Sequence, residues 1–386
     1  MPPSMIKPFH LDRIQEGRFL DRPNRFVVRC AVGRRTCEAY LPNPGRLWEL
    51  LQPGRTLYLL ENPGKEEGKL SWLCIAAVRD GRPVLLHTHW TNDAVARLMD
   101  RRRIPGLEDA RIVRREIAVG RSRFDFLLHR GAKPVLLEVK SCTLFGRRIA
   151  MFPDAVTLRG RRHLMELAVS AREGTPGMVL FLVHCAHAAF FLPDYHTDIE
   201  FARTFLALRR VLEFKAVAVQ WRKNMALGDG VRELTIPWDI LEREAGDCGN
   251  YILVLELAED RVIPVGGLGR VFFRKGYYLY VGSARKNLAK RIERHLRRRK
   301  TFFWHVDYLR DQSERCTAIP IRTRHPLEHE IARALGEVAE WAIPGFGCSD
   351  CSCETHLFGM GVDPLHLPQF VSLLQYFRID RLESLL

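Results

Sequence analysis

Two carboxylates and an amine fall within one short stretch of this chain. Asp125 sits on one apolar run, and Glu138 and Lys140, separated by a single residue, sit on the next. Both runs alternate as half-buried strands do, and Arg130-Gly131 between them supplies turn residues. Residues two apart on a strand face the same way, so Glu138 and Lys140 share a face, and a neighbouring strand brings Asp125 alongside. Two carboxylates at one strand end can hold a hard divalent cation, and an ammonium beside them can orient water and offset charge on a phosphorane. That is chemistry for cutting phosphodiesters with Mg²⁺ or Mn²⁺. Asp125 and Glu138 would be the ligands, with the Val139 carbonyl as a third. The triplet alone leaves a second reading open, because Glu-x-Lys also occurs on solvated strand faces.

The surrounding pattern supplies elements to carry these groups. Residues 112–117, 124–128 and 135–140 read as strands, preceded by a helix that Thr91 or Asn92 caps and that runs to Arg103. A long helix is expected over 154–173 with Leu164, Leu167 and Ala168 on its apolar side, then strands at 178–184 and 188–191, a helix at 199–213 and a last strand at 216–220. That order describes an α/β domain with a central mixed sheet. Ahead of it, residues up to about Val84 read as all-β. Strands at 26–32 and 36–41 flank Gly33-Arg34-Arg35, and three more at 56–60, 70–78 and 84–87 are separated by Pro53-Gly54, Pro63-Gly64 and Asp80-Gly81. Five strands with one short helix around Leu47, Leu50 and Leu51 fit an OB-like barrel, a fold that commonly binds nucleic acid. Arg22, Arg25, Phe26, Tyr40 and Arg46 would supply cation and stacking contacts there, although Phe26 and Tyr40 also read as core residues.

The arrangement of Asp125, Glu138 and Lys140 resembles the D…ExK centre of PD-(D/E)XK nucleases. Over a longer span, from about Arg18 to Arg222, the chain resembles the sugar fermentation stimulation protein family. The matching stretches are RFLDRPNRFVV, YLPNPGRLWELL, RREIAVGRSRFDFLL, LLEVKSCTL and FPDAVTLRGRRHL. The resemblance implies an OB-like barrel joined to a PD-(D/E)XK-like domain, with DNA as the partner. It aligns Glu116 with a family glutamate that would complete the metal shell; pairing with Arg114 or Arg115 is the competing role. Arg159 and His163, four apart on one helix face, would contact the scissile phosphate, with Thr157 and Arg161 nearby. Ser141 and Thr143 match as well. One position departs, since Leu158 stands where the family pattern carries glutamate.

Beyond a junction at 236–250, the last third carries GYYLYVGSA from Gly276 to Ala284 and then nine cations within residues 285–300, where Glu293 is the only acid. This resembles the GIY-YIG nucleases, and more closely a related family of unassigned function. The first motif is degraded to Tyr251-Ile252-Leu253 and the second survives as Tyr280-Val281-Gly282. The resemblance implies Tyr280, Arg291 and Glu328 as catalytic residues, with Glu330 competing for the glutamate role and His295 and His305 as assistants. So many cations on one expected helix repel one another unless a polyanion is near, so Arg294, Arg297 and Arg298 are expected to meet phosphate. The tail offers Cys348, Cys351, Cys353 and His356 as ligands for zinc, although the cluster is tight for one tetrahedral site.

At 386 residues, with 47% apolar and 10% aromatic residues, the chain has room for two or three folded domains. The expectation is a multidomain α+β protein with a barrel over 1–87, a nuclease-like domain over 88–240 and a GIY-YIG-like domain over 250–386. A formal net charge of +15 calls for a polyanionic partner. No apolar run approaches the ~18 residues of a spanning helix, so a membrane is not the expected polyanion. The first residues lack the apolar core of a signal peptide, which points to the cytoplasm and to reduced cysteines. The leading expectation is a DNA-binding, metal-dependent nuclease. The alternatives are a non-catalytic DNA-binding regulator of sugar metabolism genes, and an enzyme directed at RNA.

Overall fold

The computed structural model describes residue 11 and residues 13–62, 70–348 and 351–386; the turn expected at Pro63-Gly64 lies outside them. The chain divides into two compact units, Met1–Asp194 with Glu200–Trp238, and Tyr195–Ile199 with Asp239–Leu385.

The first unit opens with strands β1 (Gln15–Asn24), β2 (Val27–Val32), β3 (Arg35–Tyr40), β4 (Thr56–Glu61) and β5 (Trp72–Arg79). They run in the order β3-β2-β1-β4-β5, and a parallel pairing of β3 with β5 closes them into a five-stranded barrel. The sequence reading missed β1. Its charged residues hide the alternation, and only Gly17 and Phe19 are buried along it. The expected strand at 84–87 is instead β6 (Arg82–Leu85), a hairpin partner of β5 outside the closure. The short helix expected around Leu47 is only a turn, with Leu50 and Leu51 amides bonded to the Leu47 carbonyl. Leu47 itself has φ +57°, which a continuing helix excludes. Gly33 takes φ +58° in the two-residue loop between β2 and β3, a conformation that costs glycine little.

Helix α1 (Thr88–Asp100) follows, then β7 (Ala110–Val119), β8 (Ser122–Arg130), β9 (Lys133–Cys142), β10 (Leu144–Phe145), β11 (Ile149–Phe152) and helix α2 (Leu158–Arg172). Next come β12 (Gly177–Val183), β13 (Phe190–Pro193), α3 (Ile199–Ala207), β14 (Glu213–Trp221) and β15 (Leu227–Glu233). The main sheet has the order β15-β14-β12-β9-β8-β7 and is mixed: β9, β12 and β14 are parallel, and the outer pairings are antiparallel. Strand β12 is buried along its whole length, as an unbroken apolar run at a sheet centre must be. Ala94, Val95 and Leu98 of α1 pack with Phe126, Leu137, Leu180 and Val217 of the sheet, with Ile75 of the barrel and with Leu85 of β6, so barrel and sheet share one core. Helix α2 starts at Leu158 rather than at 154, because Thr157 caps it by accepting the Gly160 amide at 3.0 Å. Asp154 is taken up elsewhere: its carboxylate accepts the Leu47 amide at 2.6 Å, and its carbonyl accepts Arg46 Nε at 2.5 Å.

In the second unit α4 (Trp238–Glu244) precedes β16 (Gly249–Leu257), the hairpin β17 (Arg261–Pro264) and β18 (Arg270–Phe273), then β19 (Gly276–Ala284). Helices α5 (Leu288–Leu296) and α6 (His305–Gln312), β20 (Arg315–Arg322), α7 (Glu328–Val338), β21 (Trp341–Ala342), β22 (Leu357–Met360) and α8 (Pro368–Arg378) complete it. The sheet order is β20-β16-β19-β22-β21, with antiparallel neighbours throughout. The basic helix is shorter than expected and ends at Leu296. No helix among the described residues is long and apolar enough to cross a membrane.

Gly282 on β19 pairs with Tyr251 on β16, and the Tyr251 ring lies against its Cα, where any side chain would overlap it. Gly282→Ala is therefore expected to destabilise this unit by about 1–3 kcal/mol. Native-state hydrogen exchange would show it as faster exchange of the β16 and β19 amides, and unchanged rates would contradict it.

Candidate functional site

The β8–β9 ladder runs from Arg130↔Lys133 to Phe126↔Leu137 and stops there. Beyond that point β9 continues beside β12, from Glu138↔Val179 to Cys142↔Val183. At the break a side chain replaces the missing backbone partner: Asp125 Oδ2 accepts the Val139 amide at 2.7 Å. Its other oxygen accepts Asn92 Nδ2 of α1 at 2.6 Å. Strand parity then turns Glu138 to the same face. Glu138 Oε1 accepts Lys140 Nζ at 2.5 Å and meets His163 Nδ1 of α2, while Oε2 is buried with no hydrogen-bond partner among the described residues. Asp125, Glu138, Val139 and Lys140 line a cleft of about 500 Å³ whose other wall includes Arg25 and Asn43 of the barrel.

Burial pushes the Asp125 carboxyl up to about 6, and the Glu138 charge adds to this; the Val139 amide, Lys140 and Asn92 oppose it. Burial also pushes Glu138 up, but Lys140 and His163 outweigh it and hold that carboxyl below its ordinary value. Neighbouring carboxylates of unlike acidity, one with a bare buried oxygen, form a donor set that suits a hard cation. A cation there would satisfy that unpartnered oxygen, since a buried acceptor left unmet is costly.

Not every expected residue joins the cleft. Glu116 sits at a left-handed kink, φ +53°, with its side chain 70% exposed and paired to Arg123 at 3.1 Å rather than to Arg114 or Arg115. His163 does line the cleft, but it is buried against Glu138 and accepts Arg159 Nε at 3.3 Å, so it supports the carboxylate. Arg159 lines the cleft, as does Arg25, which lies 5.1 Å over the exposed Phe26 ring. Arg22 turns inward and donates to the carbonyls of Gly45, Arg46, Asn43 and Arg25; burial lowers its pKa. Arg46 stacks on Trp48 at 4.3 Å and binds Asp154. Both arginines build the loop instead of presenting free charge. Phe26 and Tyr40 are exposed rather than core. Leu158, the departure from the family pattern, is 71% exposed at the start of α2.

Sequence reasoning missed Asn92, which it read as a helix cap but which lies inside α1 and holds Asp125. It also missed His184. This buried imidazole accepts Trp221 Nε1 at 3.0 Å and lies 2.9 Å from Ser141 Oγ, and burial lowers its pKa to about 3, so it is neutral and donates to Ser141. Only the fold brings His184, at the end of the neighbouring strand β12, to Ser141.

In the second unit Tyr251, Tyr280, Arg291 and Glu328 lie close enough for the last three to act on the Tyr251 hydroxyl. That hydroxyl lies 2.9 Å from His295 Nε2, and burial, then Tyr280, raise its pKa well above the ordinary value. Arg291 lies 4.6 Å over Trp304. Glu328 accepts Ser283 Oγ and lies 3.3 Å from His356 Nδ1. His305 Nδ1 accepts the Gly347 amide at 3.1 Å, and Glu330 is exposed at the start of α7. The cations are not all free for phosphate. Arg294 pairs with buried Asp307 at 3.0 Å and Lys300 with the same carboxylate at 2.8 Å. Arg298 donates to the Asp311 and Ser313 carbonyls, and exposed Arg297 pairs with Glu293. Cys348 is absent from the cluster its neighbours form; there, Cys351, Cys353 and His356 meet His329 of α7 instead. All ten cysteines are free thiols.

The two carboxyls of the cleft bear on stability in opposite senses. Asp125 has a raised folded value, so its contribution is full below about 3.8 and is lost as pH climbs through about 6. Glu138 has a lowered one, so its contribution is present above the ordinary range and is lost as pH falls through the depressed value. Lys140 lowers both, so Lys140→Ala should raise both titrations, as followed by carboxyl NMR without divalent cation. Unmoved midpoints would contradict this charge arrangement.

Three family models match the chain: the SfsA N-terminal OB domain over residues 20–86, the sugar fermentation stimulation protein RE domain over 89–225, and a domain of unknown function, DUF123, over 250–375. A sugar fermentation stimulation protein homolog of Methanothermobacter thermautotrophicus is 41% identical over 197 residues, 51% of this chain and 80% of the relative. One of Chloroflexus aurantiacus is 38% identical over 197 residues, 51% of this chain and 75% of the relative. The solved Pyrococcus furiosus SfsA in complex with Ca²⁺ superposes with a TM-score of 0.54 at 29% identity, covering 59% of this chain and 97% of that one. With the barrel, the mixed sheet and the matched relatives in agreement, the chain belongs to the sugar fermentation stimulation protein family and carries a DUF123 domain after the family's own two.

Proposed function

We propose that this is a cytoplasmic DNA-binding protein with a metal-dependent phosphodiesterase centre at Asp125, Glu138 and Lys140. Its working parts would be a barrel over 1–87, a nuclease-like domain over 88–240 and a third domain over 250–386. The observation that carries the reading is the pair of unlike carboxyls where the β8–β9 ladder ends, one with a buried, unpartnered oxygen, in a cleft that also holds Arg25, Lys140 and Arg159. Asp125 and Glu138 would hold Mg²⁺ or Mn²⁺, and the relative solved with Ca²⁺ supports a hard cation. Such an ion supplies Lewis acidity toward a phosphoryl oxygen and an acidified water. Asn92 and the Val139 amide fix Asp125, His163 fixes Glu138, and Lys140 offsets charge on the pentavalent phosphorus. Arg25 and Arg159, both lining the cleft, would take flanking phosphates.

A second reading rests on Leu158, which leaves α2 without a carboxylate at the position where the family pattern has one. On that reading the cleft grips DNA without cutting it, as a regulator would. The DUF123 domain is read as a weak or narrowly selective nuclease-like module. Its Tyr251 hydroxyl is buried and held by His295, a poor state for activating water.

The test is incubation of the full chain with labelled linear, circular and branched DNA, each with Mg²⁺ or Mn²⁺. Cleavage should disappear in Glu138→Ala while DNA binding persists, and Lys140→Ala should slow it by about 100- to 1,000-fold. Activity should rise as pH passes about 6, because Asp125 must lose its proton to accept a cation. Tight binding without cutting in either metal would select the grip.

A further inference from the structure

Four soft or borderline donors converge in the DUF123 domain at a place the spacing of the tail cysteines does not predict. The ligand atoms of His329, Cys351, Cys353 and His356 all lie within 4.8 Å of one another. His329 Nδ1 is 3.0 Å from Cys353 Sγ, and Cys351 Sγ is 3.5 Å from His356 Nε2. Tetrahedral zinc with bonds of ~2.0–2.3 Å separates its ligands by ~3.3–3.8 Å, so small adjustments would close the shell. The donors come from two elements, α7 for His329 and the segment before β22 for the other three.

A second observation points the same way. The far nitrogen of buried His356, Nδ1, lies 3.3 Å from Glu328 Oε1, and Ser283 Oγ donates to the other oxygen of that carboxylate. A carboxylate behind a histidine is the usual support of a metal ligand, fixing its tautomer so that Nε2 faces the ion. We infer that His329, Cys351, Cys353 and His356 form a Cys₂His₂ zinc site, with Glu328 as its positioning residue. Two thiolates and two imidazoles suit zinc, whereas Mg²⁺, Mn²⁺ and Ca²⁺ prefer oxygen. Loading releases up to two protons, one from each thiol, and leaves a neutral site. The ion ties residues 351–356 to the start of α7 and holds Glu328 in place through His356. This inference is independent of whether the Asp125 centre cuts DNA.

The site separates cleanly from the sequence-based expectation, because Cys348 lies outside it and His329 inside. Cys348 Sγ instead approaches the Glu354 carbonyl at 3.5 Å. His329 is exposed, so replacing it removes a ligand without opening the core. The experiment is metal analysis of the full chain purified without chelator, followed by cobalt substitution and visible spectroscopy. About one zinc per chain and a tetrahedral cobalt spectrum with a thiolate charge-transfer band are expected. Both should be lost in His329→Ala and Cys353→Ser and kept in Cys348→Ser, with far-ultraviolet circular dichroism showing each variant folded. Glu328→Gln should keep the metal but yield it to a competing chelator about 10- to 100-fold more readily. Wild type without zinc and without a tetrahedral cobalt spectrum overturns the inference. So does loss in Cys348→Ser with retention in His329→Ala.

Discussion

The Val139 amide, left without a backbone partner where β8 and β9 part, organises the first unit. A buried N–H must be met, and the Asp125 carboxylate meets it at 2.7 Å. That one bond fixes the direction of Asp125, and it requires a second donor for the remaining oxygen, which Asn92 of α1 supplies. Past the same break, β9 keeps its pairing with β12 on one edge but loses β8 on the other, and the cleft lies along that freed edge. Glu138, Lys140 and His163 are then positioned by strand parity and by the seating of α2. The chemistry of the cleft is thus the consequence of how a sheet ends.

Several of the cations in this protein are spent on structure. The excess of cations suggests a surface covered in free guanidinium groups, yet Arg22 and Arg46 are built into the barrel loop, Arg294 and Lys300 are held by buried Asp307, and exposed Arg298 donates to the Asp311 and Ser313 carbonyls. Arginine suits this use because its planar fork satisfies several carbonyls at once and its charge is weakly hydrated. The Asp307 carboxylate shows the converse. Burial would raise its pKa, but His295, Arg294 and Lys300 hold it far below the usual carboxylate range. A polyanion need not be present for these cations to coexist; one internal carboxylate already does much of that work. Other cations stay exposed, among them Arg25 and Arg159 at the cleft and Arg285, Lys290 and Arg299 around α5.

The second unit keeps its aromatic and imidazole groups in a connected set. Tyr251, Tyr280, His295 and Trp304 lie ring to ring between β16, β19 and α5. The Tyr251 hydroxyl is engaged by His295 Nε2 within this buried set, which reads first as a scaffold. Glu328 stands at its edge, shared between Ser283 and His356, and so links the sheet to the cysteine-bearing segment.

Strand parity alone determined that Glu138 and Lys140 share a face and that Asp125 could join them, because a two-residue period survives any tertiary arrangement. The apolar runs of β8, β9 and β12 and the apolar side of α2 were legible for the same reason: burial demands a local pattern. Strand β1 was not legible, since it buries only Gly17 and Phe19 and leaves the rest of its residues free to be charged. Nor could local pattern reveal that Arg22 and Arg46 point inward, that Glu116 turns out to Arg123, or that His163 backs Glu138 rather than facing solvent. Those outcomes depend on which distant carbonyl or carboxylate lies within hydrogen-bond reach. The same holds for His329, which lies far along the chain from Cys351 and Cys353 and meets them only when α7 packs beside the segment that carries them. The sequence by itself determined which groups could do chemistry. The tertiary structure decided which of them meet, because a side chain's partners are chosen by distance in space and by the need to satisfy every buried polar atom.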